Sequence, residues 1–405
     1  MSDRISTIFI FLCLPLLVST LHAGSVLSIN QACTKPIIVN SKIFSICNDL
    51  NYTDRTMDHP VFLTEINQQL EVINNTNLSI TDSDIGRLVK RDSKNAYLLG
   101  ETKSKCVQVF NINLNNKNTT SLLEYCDDGK LSLPFEVTSQ SLILNNQSLV
   151  FPLYSKESNI TTIKIIQIDD KKETKTLHIK EFENFNVVYF VRFDNHNVLL
   201  LRSKKDPLVA VVLAILEDTT GNLQYTKLYE TSTFLIMTIS NVNNRIFITG
   251  NEFNQQQMSF SLIEVFTKGT SRKLIDKWPI PLHPTLLLAN SKLMKLYGVV
   301  VDANMQALAV SSFNVNSTRT TPLKVSYSHK LNTLKYPLAL IHDHGIDYLL
   351  TDNKASLLSN TKKTELNYSS ISGVLYPSIF YINSQKYLFY IVNDNGQFRS
   401  IFEEL

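Results

Sequence analysis

Short apolar runs recur along this chain in pairs, each pair joined by a polar turn, and the recurrence predicts β-hairpins. The pairs start near Leu88, Leu142, Val187, Leu235, Leu286, Leu338 and Ile379. In one of the clearest, Val187-Val188-Tyr189-Phe190-Val191 passes through Asp194-Asn195-His196-Asn197 into Val198-Leu199-Leu200-Leu201. In another, Leu235-Ile236-Met237 passes through Asn241-Val242-Asn243-Asn244 into Ile246-Phe247-Ile248. β-Branched and aromatic residues suit a pleated, buried surface, and Asn and Asp tolerate the left-handed backbone of a tight connection.

The copies are spaced by roughly 40 to 54 residues, the range of four-stranded propeller blades. A third strand is expected at residues 106–110, 162–168, 209–216, 258–266 and 307–313 of successive copies. A more polar fourth is expected at 122–125, 175–179, 223–229, 273–278 and 323–327, as suits an outermost strand with one edge in water. The last copy supplies strands at 379–382, 387–392 and 398–402, after which the sequence ends. Upstream of the first copy, Gln69-Leu70-Glu71-Val72-Ile73 alternates like a strand, so Leu70 to Ile73 is expected to pair with Phe398 to Phe402 and close the ring.

These patterns predict an all-β chain folded as a β-propeller of about seven four-stranded blades, closed by an N-terminal strand. The expected organisation is a leader at 1–23, an N-terminal extension at 24–68 with short strands near 37–39 and 43–46, and the propeller at 69–405. A pair of β-sandwich domains is the alternative. It would need a linker, and no Pro/Gly/Ser-rich stretch interrupts the repeat.

The ends and the composition narrow the setting. Arg4 precedes an apolar stretch over residues 5–21, broken by Pro15 and followed by Ala23 and Gly24, the pattern of a secretory signal peptide. An uncleaved anchor is the weaker reading. The most apolar internal stretch, 207–216, is too short to cross a bilayer and reads as a strand buried on both faces. Formal net charge is +3 with no block of like charges, so no nucleic-acid face is expected, and the partner would be a protein or glycan ligand. The protein is expected to be secreted or extracellular, with the lumen of the secretory pathway as the alternative, and monomeric.

Beyond Cys13 in the leader, Cys33, Cys47, Cys106 and Cys126 form an even set suited to an oxidising compartment. Local pairing, Cys33 with Cys47 and Cys106 with Cys126, is favoured because neighbouring strands could span each loop. Each bond would contribute about 3 kcal/mol by loop entropy. Eight Asn-x-Ser/Thr sequons begin at Asn51, Asn74, Asn77, Asn118, Asn146, Asn159, Asn316 and Asn367. None falls between Thr161 and Val315, which marks that stretch as a candidate partner-binding sector.

Candidate chemistry is sparse. His342, Asp343 and His344, with Asp347 beyond them, could share a metal on one strand face, but they occupy the hairpin turn of the sixth copy, where turn chemistry explains them. The pairs Asp127-Asp128, Asp169-Asp170 and Glu403-Glu404 read as solvated rather than as acid/base pairs. Trp278 reads as packing between copies, and Phe402-Glu403-Glu404-Leu405 only faintly resembles a luminal retention signal. No cofactor is implied. The expected function is non-enzymatic binding, with an extracellular hydrolase or lyase acting at the central channel mouth as the alternative.

Overall fold

The computed structural model describes residues 25–48, 60–80, 83–102, 106–126, 130–131, 142–143, 148–157, 160–169, 173–182, 184–193, 196–241, 245–254, 257–266, 270–278, 282–290, 293–301, 306–314, 326–331, 337–343, 346–351, 354–357, 365–367, 374–394 and 397–404. They form eight antiparallel sheets that follow one another along the chain. Six of the seven recurrences each form the hairpin of a sheet of their own; in the one near Leu142 the first run makes only an isolated bridge, Ile143 to Leu149, and Lys130–Leu131 takes the first place in that sheet instead. A further sheet, here the first, is built from residues 32–77 and lies ahead of them.

The fourth sheet shows why these residues make strands. Phe185–Phe193, His196–Ser203, Ala210–Glu217 and Leu223–Thr231 pair in sequence order. Its two central strands carry unbroken apolar runs, 198–201 and 210–216, and the alternate residues of these runs divide between two cores. Leu199, Leu201, Val211, Leu213 and Ile215 join side chains of the second and third sheets, whereas Val198, Leu200, Ala210, Val212 and Ala214 join those of the fifth. A strand clamped between two sheets needs no polar face. Full burial of each Val or Leu there is worth about 1.5–3 kcal/mol. The outermost strand, Leu223–Thr231, alternates buried and exposed positions, as expected where one edge meets water.

The first strands of consecutive sheets touch: Phe185–Phe193 meets Phe234–Asn241, and Pro337–Asp343 meets both Leu282–Asn290 and Val374–Ile382. They are therefore the innermost strands, and the sheets radiate from them. The ring is closed by Val26–Ile29, which pairs with Gln397–Glu404 in the last sheet.

This closure corrects the expectation that Leu70 to Ile73 would do so. Val72–Asn77 pairs instead with Val61–Ile66, as the outermost strand of the first sheet. Leu70 lies in the tight connection between those two strands, at φ 59°, with its amide donating to Asn67 O. Its side chain does pack against the last sheet, in a cluster with Tyr387, Phe389 and Phe402, so its apolar character serves the junction without strand pairing. The boundary expected at 68/69 falls inside this hairpin. Residues 32–48 and 61–77 share one sheet.

Candidate functional site

The innermost strands share a feature that apolar periodicity hides. In the second sheet Ile85 faces Gly100 but Arg87 faces Leu99, leaving one extra residue on the inner strand. The same single insertion follows Val187 in the fourth sheet and Ile236 in the fifth. It recurs between Leu282 and Thr285, after Pro337, and between Leu375 and Ser378 in the last three sheets. In the first sheet Cys33 faces Cys47 and Ile37 faces Phe44, so the Thr34-Lys35-Pro36 segment carries the extra residue there. Such bulges re-aim side chains and gather beside functional sites. Here they stand on the first strands, where neighbouring sheets meet, which makes that inner surface the candidate site.

The side chains at these bulges differ in chemistry. Lys35 and Met237 are exposed while their neighbours Ile37 and Ile236 are buried, and Val188 is half-buried. The Lys35 ammonium reaches solvent yet is surrounded by protein on most sides, as befits a channel. That desolvation, and then the charge of Arg87, pull its pKa below the usual lysine value. Burial alone draws Arg87 down to about 10. Among the described residues Lys35 has no anionic partner. Arg202, lowered mainly by burial, donates to Ile236 O at the edge of the fifth bulge and so holds its carbonyl in place.

Glycine meets the bulge from the facing strand in three sheets, at Gly100, Gly250 and Gly298. A Cβ on Gly250 would stand 2.2 Å from Leu235 O and 2.8 Å from the Phe234 ring. Only a bare Cα fits that approach.

Several charged groups tie neighbouring strands or sheets. Buried Glu65 accepts from Lys42 Nζ at 2.6 Å and from Lys117 Nζ at 2.5 Å, and Lys117 also sits 4.7 Å over the Phe44 ring. The first and second sheets are joined there. Buried Glu264 lies between Arg245 Nε at 2.6 Å and Arg272 Nε at 2.7 Å. Gln167 Nε2 donates to Glu217 at 3.2 Å, and Lys175 Nζ to Gly221 O at 2.7 Å, joining the third and fourth sheets.

The cysteines stand as two pairs at disulfide distance, Cys33 with Cys47 at 2.07 Å and Cys106 with Cys126 at 2.20 Å. The first pair links adjacent strands of the first sheet, and the second joins the residue before Val107–Asn113 to the residue after its neighbour Thr119–Tyr125. Glu124 is near the second pair, but both sulfurs are committed to each other, so the trio is no metal site.

Of the sequons, Asn74 and Asn77 lie exposed on Val72–Asn77, and Asn118 lies exposed in the turn before Thr119–Tyr125. Asn367 ends Glu365–Asn367, the outer strand of the seventh sheet. Asn51, Asn146, Asn159 and Asn316 lie outside the described residues, as do the leader, Asp127-Asp128 and Asp170. Asp169 sits in a connection, where its carboxylate accepts from Glu173 N at 3.0 Å. His342 and Asp343 end the strand Pro337–Asp343, and His342 stands across the hairpin from Asp347, whereas His344 lies outside the described residues. Trp278 ends the outer strand of the fifth sheet. Phe402, Glu403 and Glu404 are built into the closing sheet, where Glu404 N donates to Ser25 O at 2.9 Å.

Among the described residues, consecutive antiparallel sheets, several of them in contact through their first strands, and the pairing of Val26–Ile29 with Gln397–Glu404 define a β-propeller. No family model matches the chain, and no curated protein does. Solved structures of similar shape include an acylaminoacyl peptidase from Pyrococcus horikoshii, at 10% identity and a TM-score of 0.46 over 90% of this chain and 58% of that one. The chain thus spans well under two thirds of that peptidase. The β-propeller domain of the Trilobed protease from Pyrococcus furiosus is similar at 11% identity and a TM-score of 0.43, over 83% and 97% of the two chains. The WD40 domain of SCAP from fission yeast is similar at 9% identity and a TM-score of 0.48, over 95% and 96%. Among the described residues, no helix is long and apolar enough to cross a membrane.

Proposed function

We propose that this protein is a secreted, N-glycosylated propeller that binds a protein or glycan ligand at its channel-facing surface without catalysing a reaction. The recurrence of one bulge on the innermost strand of seven sheets carries the reading. It presents a new side chain at each sheet while the ladders on either side stay intact, so chemistry can vary around the ring without cost to the fold. The side chains described there, Lys35, Val188 and Met237, mix cationic and apolar character, which suits recognition of a surface more than proton transfer. The oxidised cysteine pairs support an extracellular setting.

The sector 161–315, bare of sequons, is the proposed rim of contact, and it includes the outer strands Thr174–Ile179, Leu223–Thr231 and Ser271–Trp278. The test is an arrayed screen of extracellular proteins and glycans, followed by Lys35→Glu and Met237→Asp on whatever binds. Both substitutions are expected to weaken binding about ten-fold or more, equivalent to about 1.4 kcal/mol each, with circular dichroism unchanged. Gln224→Thr, which creates a sequon at exposed Asn222, should block the rim once occupied. Binding undisturbed by all three changes would refute the assignment of the surface.

A further inference from the structure

The outer strand of the first sheet combines a free edge, exposed apolar side chains and two glycan acceptors. Among the described residues, Val72–Asn77 pairs on one side only, with Val61–Ile66. Val72 is 44% exposed and Ile73 51%, and both belong to the small set of large apolar side chains left in solvent among the described residues. A free strand edge with apolar residues is a template for pairing with another chain. Polar outer strands elsewhere lack the combination: Thr119–Tyr125 starts Thr-Thr-Ser, and its Leu122 and Leu123 pack against the core.

The acceptors lie where the hazard is. Ile73 is the extra residue of a bulge, since Val72 faces Ile66 and Asn74 faces Glu65, and beyond it the ladder is regular, so Asn74 and Asn77 stand on opposite faces about 10 Å apart along the strand. Both asparagines are exposed. Asn74 Oδ1 accepts from the Thr76 hydroxyl at 3.1 Å, and Asn77 Oδ1 from Ser79 N at 2.8 Å. Neither amide nitrogen donates to any described residue, so each is directed to no competing partner.

We propose that N-linked glycans on Asn74 and Asn77 cap this edge and keep the protein from pairing with a second copy of itself. In the transfer, the amide nitrogen forms a bond to C1 of an oligosaccharide carried on a lipid diphosphate. The C1–O bond to that diphosphate breaks, the lipid diphosphate leaves, and the amide loses one proton. A hydrated oligosaccharide on each face of the strand then denies the backbone of Val72–Asn77 to any approaching strand. This role rests on the proposed passage through a glycosylating compartment, but it is independent of any ligand at the channel.

The experiment compares wild-type protein secreted from a glycosylating host with the Asn74→Gln, Asn77→Gln double variant. Glycopeptide mapping is expected to find both asparagines occupied, and light scattering to find the wild type monomeric. The double variant should self-associate at least about ten-fold more tightly, and adding Val72→Lys should restore the monomer by charging the bare edge. Asn118→Gln serves as the control, expected to stay monomeric. If the double variant is not secreted, enzymatic removal of glycans from folded wild-type protein supplies the same comparison. Bare asparagines in the secreted wild type would overturn the proposal. So would a monomeric deglycosylated protein, or self-association that Val72→Lys leaves in place. None of these results bears on ligand binding at the channel, so the two readings can fail separately.

Discussion

The backbone amide of Cys33 donates to the hydroxyl of Ser400 at 2.8 Å, across 367 residues of chain, and the same hydroxyl donates to Gln31 O at 2.9 Å. Ser400 is fully buried, so water cannot replace either bond. It joins the last strand to the segment that leads from the closing strand into the first sheet. The disulfide between Cys33 and Cys47 then anchors that segment to its own sheet.

Ser400→Ala should therefore lower stability by about 1–3 kcal/mol, because a buried amide and a buried carbonyl each lose their partner. Urea denaturation of the two proteins measures it. An unchanged midpoint would mean that the junction is held by apolar packing alone.

Glu65 should make the fold acid-sensitive. Burial would raise its carboxyl, but hydrogen bonds from Lys117 and Lys42 more than offset this and hold it below the usual carboxylate range. A depressed folded pKa gives stability that is present above the unfolded value of about 4.3 and is lost as pH falls through the folded value. Glu65→Gln is expected to destabilise the protein at pH 7 and to lose that effect in the acid limb. Thermal unfolding followed from pH 7 to pH 3 tests this, and a parallel offset at every pH would count against it.

Glu403 should act with the opposite sign. Burial raises its carboxyl, and the hydrogen bond from the Tyr390 hydroxyl at 3.4 Å only partly counters this. A raised folded pKa gives stability that is full below the unfolded value of about 4.3 and is lost as pH rises through the folded value. Glu403→Gln should raise the melting temperature at pH 7, and the gain should vanish near pH 4. A variant less stable than wild type at pH 7 would show that the charge is needed.

Gly250→Ala should be costly despite the small change. The added methyl would meet a backbone oxygen, which cannot swing aside as a side chain can. A loss of at least about 1–3 kcal/mol is expected, as for overpacked cores. Chemical denaturation would reveal it, and a neutral result would mean that the Ile236 bulge shifts freely.

Much of this architecture was legible because the inner sheets leave no polar face. The stretch 207–216 could be read as a strand buried on both sides, and its residues 210–215 do divide between two cores. The local cysteine pairing was legible because strand neighbours lie close in sequence. The first sheet was harder to see, since its Lys42–Asn48 and Val61–Ile66 strands are separated by a polar stretch that breaks the spacing of the other copies. The closing strand was misplaced because Leu70 has the burial expected of one, while its left-handed backbone turns the chain away. The bulges left little trace, because in Leu235-Ile236-Met237 the extra residue is as apolar as its neighbours. Pro36, Gly86, Pro284 and Pro377 mark four of the seven, a signal visible only once the copies are aligned by register.

The pairing of Val26–Ile29 with Gln397–Glu404 sets an order of events during synthesis. Val26–Ile29 is synthesised before its partner, so it waits, unpaired, through translation of every sheet between the two. Closing so long a loop adds only a logarithmic entropy penalty, which leaves the delay kinetic rather than energetic. A ribosome that stops short releases a ring open at one seam, with two bare edges and no Ser400 to meet Cys33.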